Sequence, residues 1–190
     1  EMCIRDRQYG SGGSQVAKIL AERMGVWCYD RDILTIAAER IGNEELTEDT
    51  INDLNYKRND VASAGITGVM GMGNIPIYNQ MFLEQAKIIR KLANYGSAVF
   101  LGRCADYILK DIKNCTSVYL YADREFRKNR VKEIYGSNAE IMDKEEKNRA
   151  DYYNYYTGNR WGDINNYDFA INTSTVSYTH LRAHETLSDL

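Results

Sequence analysis

RQYGSGGSQVAKILAERMG, residues 7–25, decides how the rest of the chain is read. A glycine-rich turn, Gly10-Ser11-Gly12-Gly13-Ser14, runs directly into Val16, Ala17, Ile19, Leu20 and Met24, which are spaced as one stripe of a helix. Glycines let successive backbone N–H groups turn toward one point. The helix N-terminus adds partial positive charge, so the stretch has the makings of a phosphate cradle. A complete phosphate-binding loop reads G-x-x-x-x-G-K-[ST]. Gly12 fits the second glycine and Ser14 the hydroxyl on the magnesium side, but Arg7 stands at the first glycine and Gly13 at the lysine. Taken alone, the signal is weak, because such a turn before a helix is more often a bare helix entry.

Both chain ends are set aside. Residues 2–6 read MCIRD and residues 176–186 read VSYTHLRAHET. Back-translated, they match the two orientations of a transposase adapter used to prepare sequencing libraries. Residues 1–7 and 176–190 are therefore expected to be adapter-derived and are excluded from fold reasoning. The exclusion removes His180 and His184, the only histidines, and with them any Ser-His-Asp triad or His-ligated metal site. Cys28, Cys104 and Cys115 remain, with no CxxC pair, which suits a reducing cytoplasm. The exclusion also leaves MCIRDR as a poor central strand, because Arg5 and Asp6 are costly if buried unpaired. The chain is expected to be less stable than its natural parent.

The 190 residues, 44% of them hydrophobic, suffice for one globular domain. A net charge of −3 gives no nucleic-acid signal, and no apolar run approaches the ~18 residues of a membrane span. Strand patterns at residues 26–29, 98–102, 117–122 and 167–172 alternate with helical patterns at 13–24, 32–41, 44–61, 78–94, 124–134 and 139–156. Residues 64–74 read as a glycine-methionine loop, and Asp123 reads as a helix cap. This alternation predicts an α/β fold with a parallel sheet and crossover helices.

Three further stretches carry chemistry. FLGRCAD, residues 100–106, places Arg103 after a strand, where an open α/β sheet binds ligands. There Arg103 can fork onto phosphate and Asp106 can hold magnesium or a ribose hydroxyl; a simple Arg103–Asp106 ion pair is the alternative. DREFRKNR, residues 123–130, sets Arg124, Arg127 and Arg130 at a spacing that shares a helix face. EKNRADYYNYYTGNRWGD, residues 146–163, packs Lys147, Arg149 and Arg160 among four tyrosines and Trp161. It reads either as a basic lid or as an aromatic-packed helix.

In order, YGSGGSQVAKILAERMG, YDRD, the helix around Gln85, VFLGRCADYIL, VYLYADREFRKNRV, KNRADYYNYYTGNRWGD and NYDFAINTS resemble the cytidylate kinase-like family of P-loop kinases. The resemblance covers residues 8–175 and implies a three-layer P-loop fold, with about five parallel strands, a helical lid and helical segments inserted near 44–80 and 139–163. It implies transfer of the γ-phosphate of ATP, with Mg2+, to a nucleoside monophosphate such as CMP or dCMP. It assigns Gly10, Ser11, Gly12, Gly13 and Ser14 to the ATP phosphates, with Ser14 on the magnesium. It assigns Arg130 and Arg149 to catalysis, and Asp30, Arg103, Asp106 and Asp168 to the acceptor. The expected partners are small-molecule nucleotides, with neither nucleic acid nor membrane. The departures are Gly13 for lysine, Cys104 for the aspartate after Arg103, and Ile36 where the family's acceptor arginine aligns. Lys18, Lys147, Arg130 and Arg149 are candidate substitutes for the lysine. The alternatives are a nucleotide sensor with a degenerate loop, and a kinase for another small acceptor.

Overall fold

A computed structural model of the protein describes residues 2–42, 77–136 and 139–175. The expected helix 44–61, the loop 64–74 and the tail 176–190 lie outside the described residues. In chain order the elements are β1 (Met2–Arg7), α1 (Gly13–Met24), β2 (Trp27–Tyr29), α2 (Asp32–Ile41), α3 (Ile77–Tyr95) and β3 (Ala98–Leu101). They continue with α4 (Ala105–Ile108), β4 (Cys115–Tyr121), α5 (Arg124–Tyr135), α6 (Ala139–Thr157), a 3-10 turn (Ile164–Asn166) and β5 (Phe169–Asn172).

The strands form one sheet in the order β2-β3-β1-β4-β5, and all four pairings are parallel. Parallel strands need crossovers, and the helices supply them. β3 is AVFL, with every residue buried, as a strand covered on both faces requires. Its side chains alternate. Ala98 and Phe100 join Ile33, Leu34, Met81, Ile88 and Ile89 under α2 and α3, while Val99 and Leu101 join Ala17, Ala21, Val118 and Leu120 under α1. The result is three layers, helix–sheet–helix.

β1 is central despite its sequence. Burial of Asp6 and Arg7 is compensated here, because neither is left unpaired. Asp6 Oδ2 accepts from Trp161 Nε1 at 2.7 Å and from the Tyr167 hydroxyl at 3.1 Å, and Arg7 Nη2 lies 3.4 Å from Asp30 Oδ1.

One local expectation is corrected, and one open alternative is narrowed. Asp123 occupies the N-cap position of α5, but its side chain makes no capping hydrogen bond; it accepts instead from Asn172 Nδ2 at 3.5 Å. Of the two readings of residues 146–163, aromatic packing describes Tyr152, Tyr153 and Tyr156. Tyr152 and Tyr153 are buried in the main core, and Tyr156 stacks on Phe82 with ring centroids 4.0 Å apart. The last turns of α6 are thus core, and Arg149, one turn before them, is the basic residue that this helix brings to the loop.

Candidate functional site

The turn between β1 and α1 is held by its own backbone and by β4. Gln8 N–H donates to Leu120 O at 2.9 Å, and Gln8 Oε1 accepts from Ala122 N–H at 3.1 Å. The buried Ser11 hydroxyl donates back to Gln8 O at 2.9 Å, and Thr173 Oγ1 donates to Ser11 O at 2.7 Å. Gly10 takes φ +81°, and a Cβ there would lie 2.8 Å from Val131 Cγ2 and 2.9 Å from Arg127 O. Only glycine fits this turn. Gly12 caps α1 in the left-handed conformation.

A cleft of about 340 Å³, counting its open mouth, lies over this turn. Gly10, Gly12, Gly13 and Ser14 line it together with Arg7, Tyr9, Arg130, Tyr135 and Arg149. The loop at the carboxyl ends of the strands, α5 and α6 therefore converge on one point. Arg130 arrives from α5 and donates to Gln15 Oε1. Arg149 arrives from α6; its Nη1 donates to Arg7 O at 3.0 Å, and its guanidinium lies 5.3 Å from the centre of the Tyr9 ring. Four members of the expected phosphate loop and both expected catalytic arginines are thus brought together, while Ser11 lies beneath as support.

The three arginines of α5 fan out. Arg124 pairs with Asp143 at 2.6 Å on the surface. Arg127 is buried, donates to Ala122 O at 3.0 Å and to Tyr9 O at 3.4 Å, and pairs with Glu146 at 2.6 Å. It ties the loop to α6. Arg130 alone of the three lines the cleft. Lys147 pairs with Asp151 at 2.5 Å and Lys18 is exposed; neither lines the cleft.

The expected acceptor residues divide. Asp30, Arg103 and Asp106 follow the carboxyl ends of β2 and β3, on the same end of the sheet as the loop. Gly102, Arg103 and Cys104 all have positive φ, at 70°, 61° and 54°. A left-handed turn through two side-chain-bearing residues is costly, and it carries Arg103 to 2% exposure. Asp106 Oδ2 accepts from the Tyr153 hydroxyl at 2.5 Å. Burial, then the nearby Asp6 charge, pushes the Asp106 carboxyl up to about 6. Burial, then Asp106 and Asp6, pushes the Cys104 thiol well up, which disfavours a thiolate nucleophile.

Asp168 stands apart from this group. It precedes β5, and its Oδ2 accepts from Ser117 N–H at 2.7 Å and the Ser117 hydroxyl at 2.8 Å, near the start of β4. Leu120, where the loop attaches, is three residues further along, or about 10 Å at the rise of a strand. The structure places Asp168 as a clamp between strands, away from the cleft.

Tyr9, Gln15 and Tyr135 line the cleft without having been expected there, and Arg7 was expected only as a glycine replacement at the edge of the adapter-derived end. Ring contacts of the Tyr9–Tyr135 kind, with centroids 5.7 Å apart, leave no signature in a single sequence.

With the loop and its arginines in place, comparison with known families is decisive: the model described as the cytidylate kinase-like family matches residues 3–175. The chain belongs to that family. No curated protein matches the chain. Among solved structures, this family member is similar to an uncharacterized protein from Eubacterium ventriosum (26% identity, all of both chains covered, TM-score 0.66). It is also similar to TT1252 from Thermus thermophilus (15%, all of this chain and 97% of that one, TM-score 0.61). A third likeness is to shikimate kinase from Bacteroides thetaiotaomicron (13%, all of this chain and 99% of that one, TM-score 0.52). The last two show the fold. Family and fold together make the chain a kinase-like phosphotransferase. Among the described residues no helix is long and apolar enough to cross a membrane.

Proposed function

We propose that the protein transfers the γ-phosphate of ATP to a nucleoside monophosphate, with CMP or dCMP the favoured acceptor, in the cytoplasm. One observation carries the reading. Gly10, Gly12, Gly13 and Ser14 face a cleft that also receives Arg130 and Arg149 from two separate helices. Phosphoryl transfer needs positioning and neutralisation of charge more than covalent chemistry. A nest of N–H groups at a helix N-terminus grips the donor phosphates, and two arginines arriving from neighbouring helices stabilise charge spread over the transferring group. Arg103 and Asp106, beside the cleft on the β3 side, are proposed for the acceptor, with Asp30 at its edge.

The Ser14 hydroxyl at the start of α1 fits one inner contact to magnesium. Mg2+ keeps several waters and takes oxygens from phosphates, so it needs no cage of protein carboxylates. Among the described residues no such cluster exists. Bound with ATP, the ion would supply neutralisation of the donor phosphates.

The test is ADP formation from magnesium-ATP with CMP, dCMP, UMP, AMP or no acceptor. CMP-dependent turnover that falls at least about 100-fold in Arg149→Ala is expected. Tight ATP binding by the folded protein with no turnover on any acceptor would replace this reading with that of a nucleotide sensor.

A further inference from the structure

Gly13 leaves the kinase reading without its usual donor cation. The inference below rests on that reading and concerns the same cleft. A Cβ built on Gly13 would lie 2.5 Å from Cβ and 2.8 Å from Cγ of Arg7. Arg7 Cβ is fixed by the backbone of the central strand β1 and cannot yield. No side chain, lysine included, can therefore begin at residue 13 while a long side chain stands at residue 7. The converse also holds: the Arg7 stem passes over the place where a residue-13 side chain would start. Its side chain is only 6% exposed, and it lines the phosphate cleft.

We propose that Arg7 is the cation of the donor-phosphate site, and that the two ends of the loop motif have exchanged roles. Arginine replaces glycine at the first position, glycine replaces lysine at the seventh, and a positive charge reaches the same cradle from the strand instead of the helix. The Arg7 contact to Asp30 does not prevent this. At 3.4 Å it is longer than the roughly 2.7–2.9 Å of a strong charge-assisted hydrogen bond. A phosphate oxygen offers the fork a better geometry, and a planar guanidinium can hold two such oxygens at once. The other cations considered have different positions. Arg127 is committed to Glu146 and two carbonyls, Lys147 to Asp151, and Arg149 and Arg130 stand on the helix side of the cleft. The family match begins at residue 3 and so takes in Arg7, within the end expected to be adapter-derived.

The test reads binding of magnesium-ATP and of adenosine, each by calorimetric titration without acceptor, to four proteins: wild type, Arg7→Gln, Arg7→Lys, and the exchange double variant Arg7→Gly/Gly13→Lys. Arg7→Gln should weaken magnesium-ATP about tenfold or more while leaving adenosine within about twofold, a split that general loss of structure would not produce. Arg7→Lys should recover part of the loss. The exchange variant should restore magnesium-ATP to within about threefold of wild type, because the lysine now has room. Circular dichroism confirms folding of each variant. Wild-type affinity in Arg7→Gln, equal losses for ATP and adenosine, or no recovery in a folded exchange variant would each overturn the proposal. A wild-type protein that binds no ATP would overturn both this proposal and the kinase reading; one that binds ATP through Arg7 but transfers nothing would overturn the kinase reading alone.

Discussion

At the scale of single residues the loop is an exercise in exclusion. Gly10 has no room for a methyl group and adopts a backbone conformation that side chains disfavour. Gly10→Ala is expected to cost about 2–4 kcal/mol, from left-handed strain plus overpacking against Val131, measured by denaturant unfolding. A cost under about 0.5 kcal/mol, the level of an ordinary surface change, would contradict the packing described. Asp106 gives a pH signature. Its folded-state carboxyl is raised to about 6 from 3.8, so the folded protein binds the proton more tightly than the unfolded chain. Its contribution to stability is full below about pH 4 and is lost as pH rises through about 6. Asp106→Asn should therefore be more stable than wild type at pH 8, by on the order of 2–3 kcal/mol, and the gain should vanish near pH 4. A difference independent of pH would show that the carboxyl is not strained by its burial. The glycines and arginines of the site were legible because each type has a narrow physical use. The pairing of Arg7 with Gly13 was not, because it depends on a stem crossing a turn that spacing alone does not reveal.

At the scale of elements, α5 and α6 form the strap that brings Arg130 and Arg149 to the loop. Two ion pairs join these helices, and they should contribute very differently. Arg124 and Asp143 are about half exposed, so Arg124→Ala should change stability by no more than about 0.5 kcal/mol. Arg127 is buried, holds two carbonyls as well as Glu146, and anchors the backbone of Tyr9. Arg127→Ala should cost about 2–4 kcal/mol and weaken magnesium-ATP binding through the loosened loop. Equal thermal shifts in the two variants would contradict this ranking. The helical periodicity of residues 13–24, 32–41 and 78–94 announced α1, α2 and α3 to within a residue or so. The role of residues 152–156 was harder to see. A run of tyrosines beside arginines reads either as a lid or as a packed helix, and burial of Tyr152 and Tyr153 and the stack of Tyr156 on Phe82 join these rings to the core. Amphipathic aromatics serve both uses, and only packing separates them.

At the scale of the molecule, the strand order β2-β3-β1-β4-β5 explains why the site lies where it does. β1 is central, so the turn that leaves it opens between the two halves of the sheet, with Arg103 and Asp106 beyond β3 on one side and the anchor on β4 at the other. Alternating strands and helices made the parallel sheet legible. The integration of residues 2–7 was not, because Asp6 looks unsuited to a core strand until Trp161 and Tyr167, over 150 positions away, are seen to hold it. All of this architecture serves one claim, that phosphate moves from ATP to a nucleoside monophosphate. The most direct test is phosphorus NMR of the protein incubated with magnesium-ATP and CMP. The expected result is CDP and ADP appearing in equal amounts, with no inorganic phosphate. ADP accompanied by inorganic phosphate alone, or an unchanged spectrum from a folded, ATP-binding protein, would contradict it.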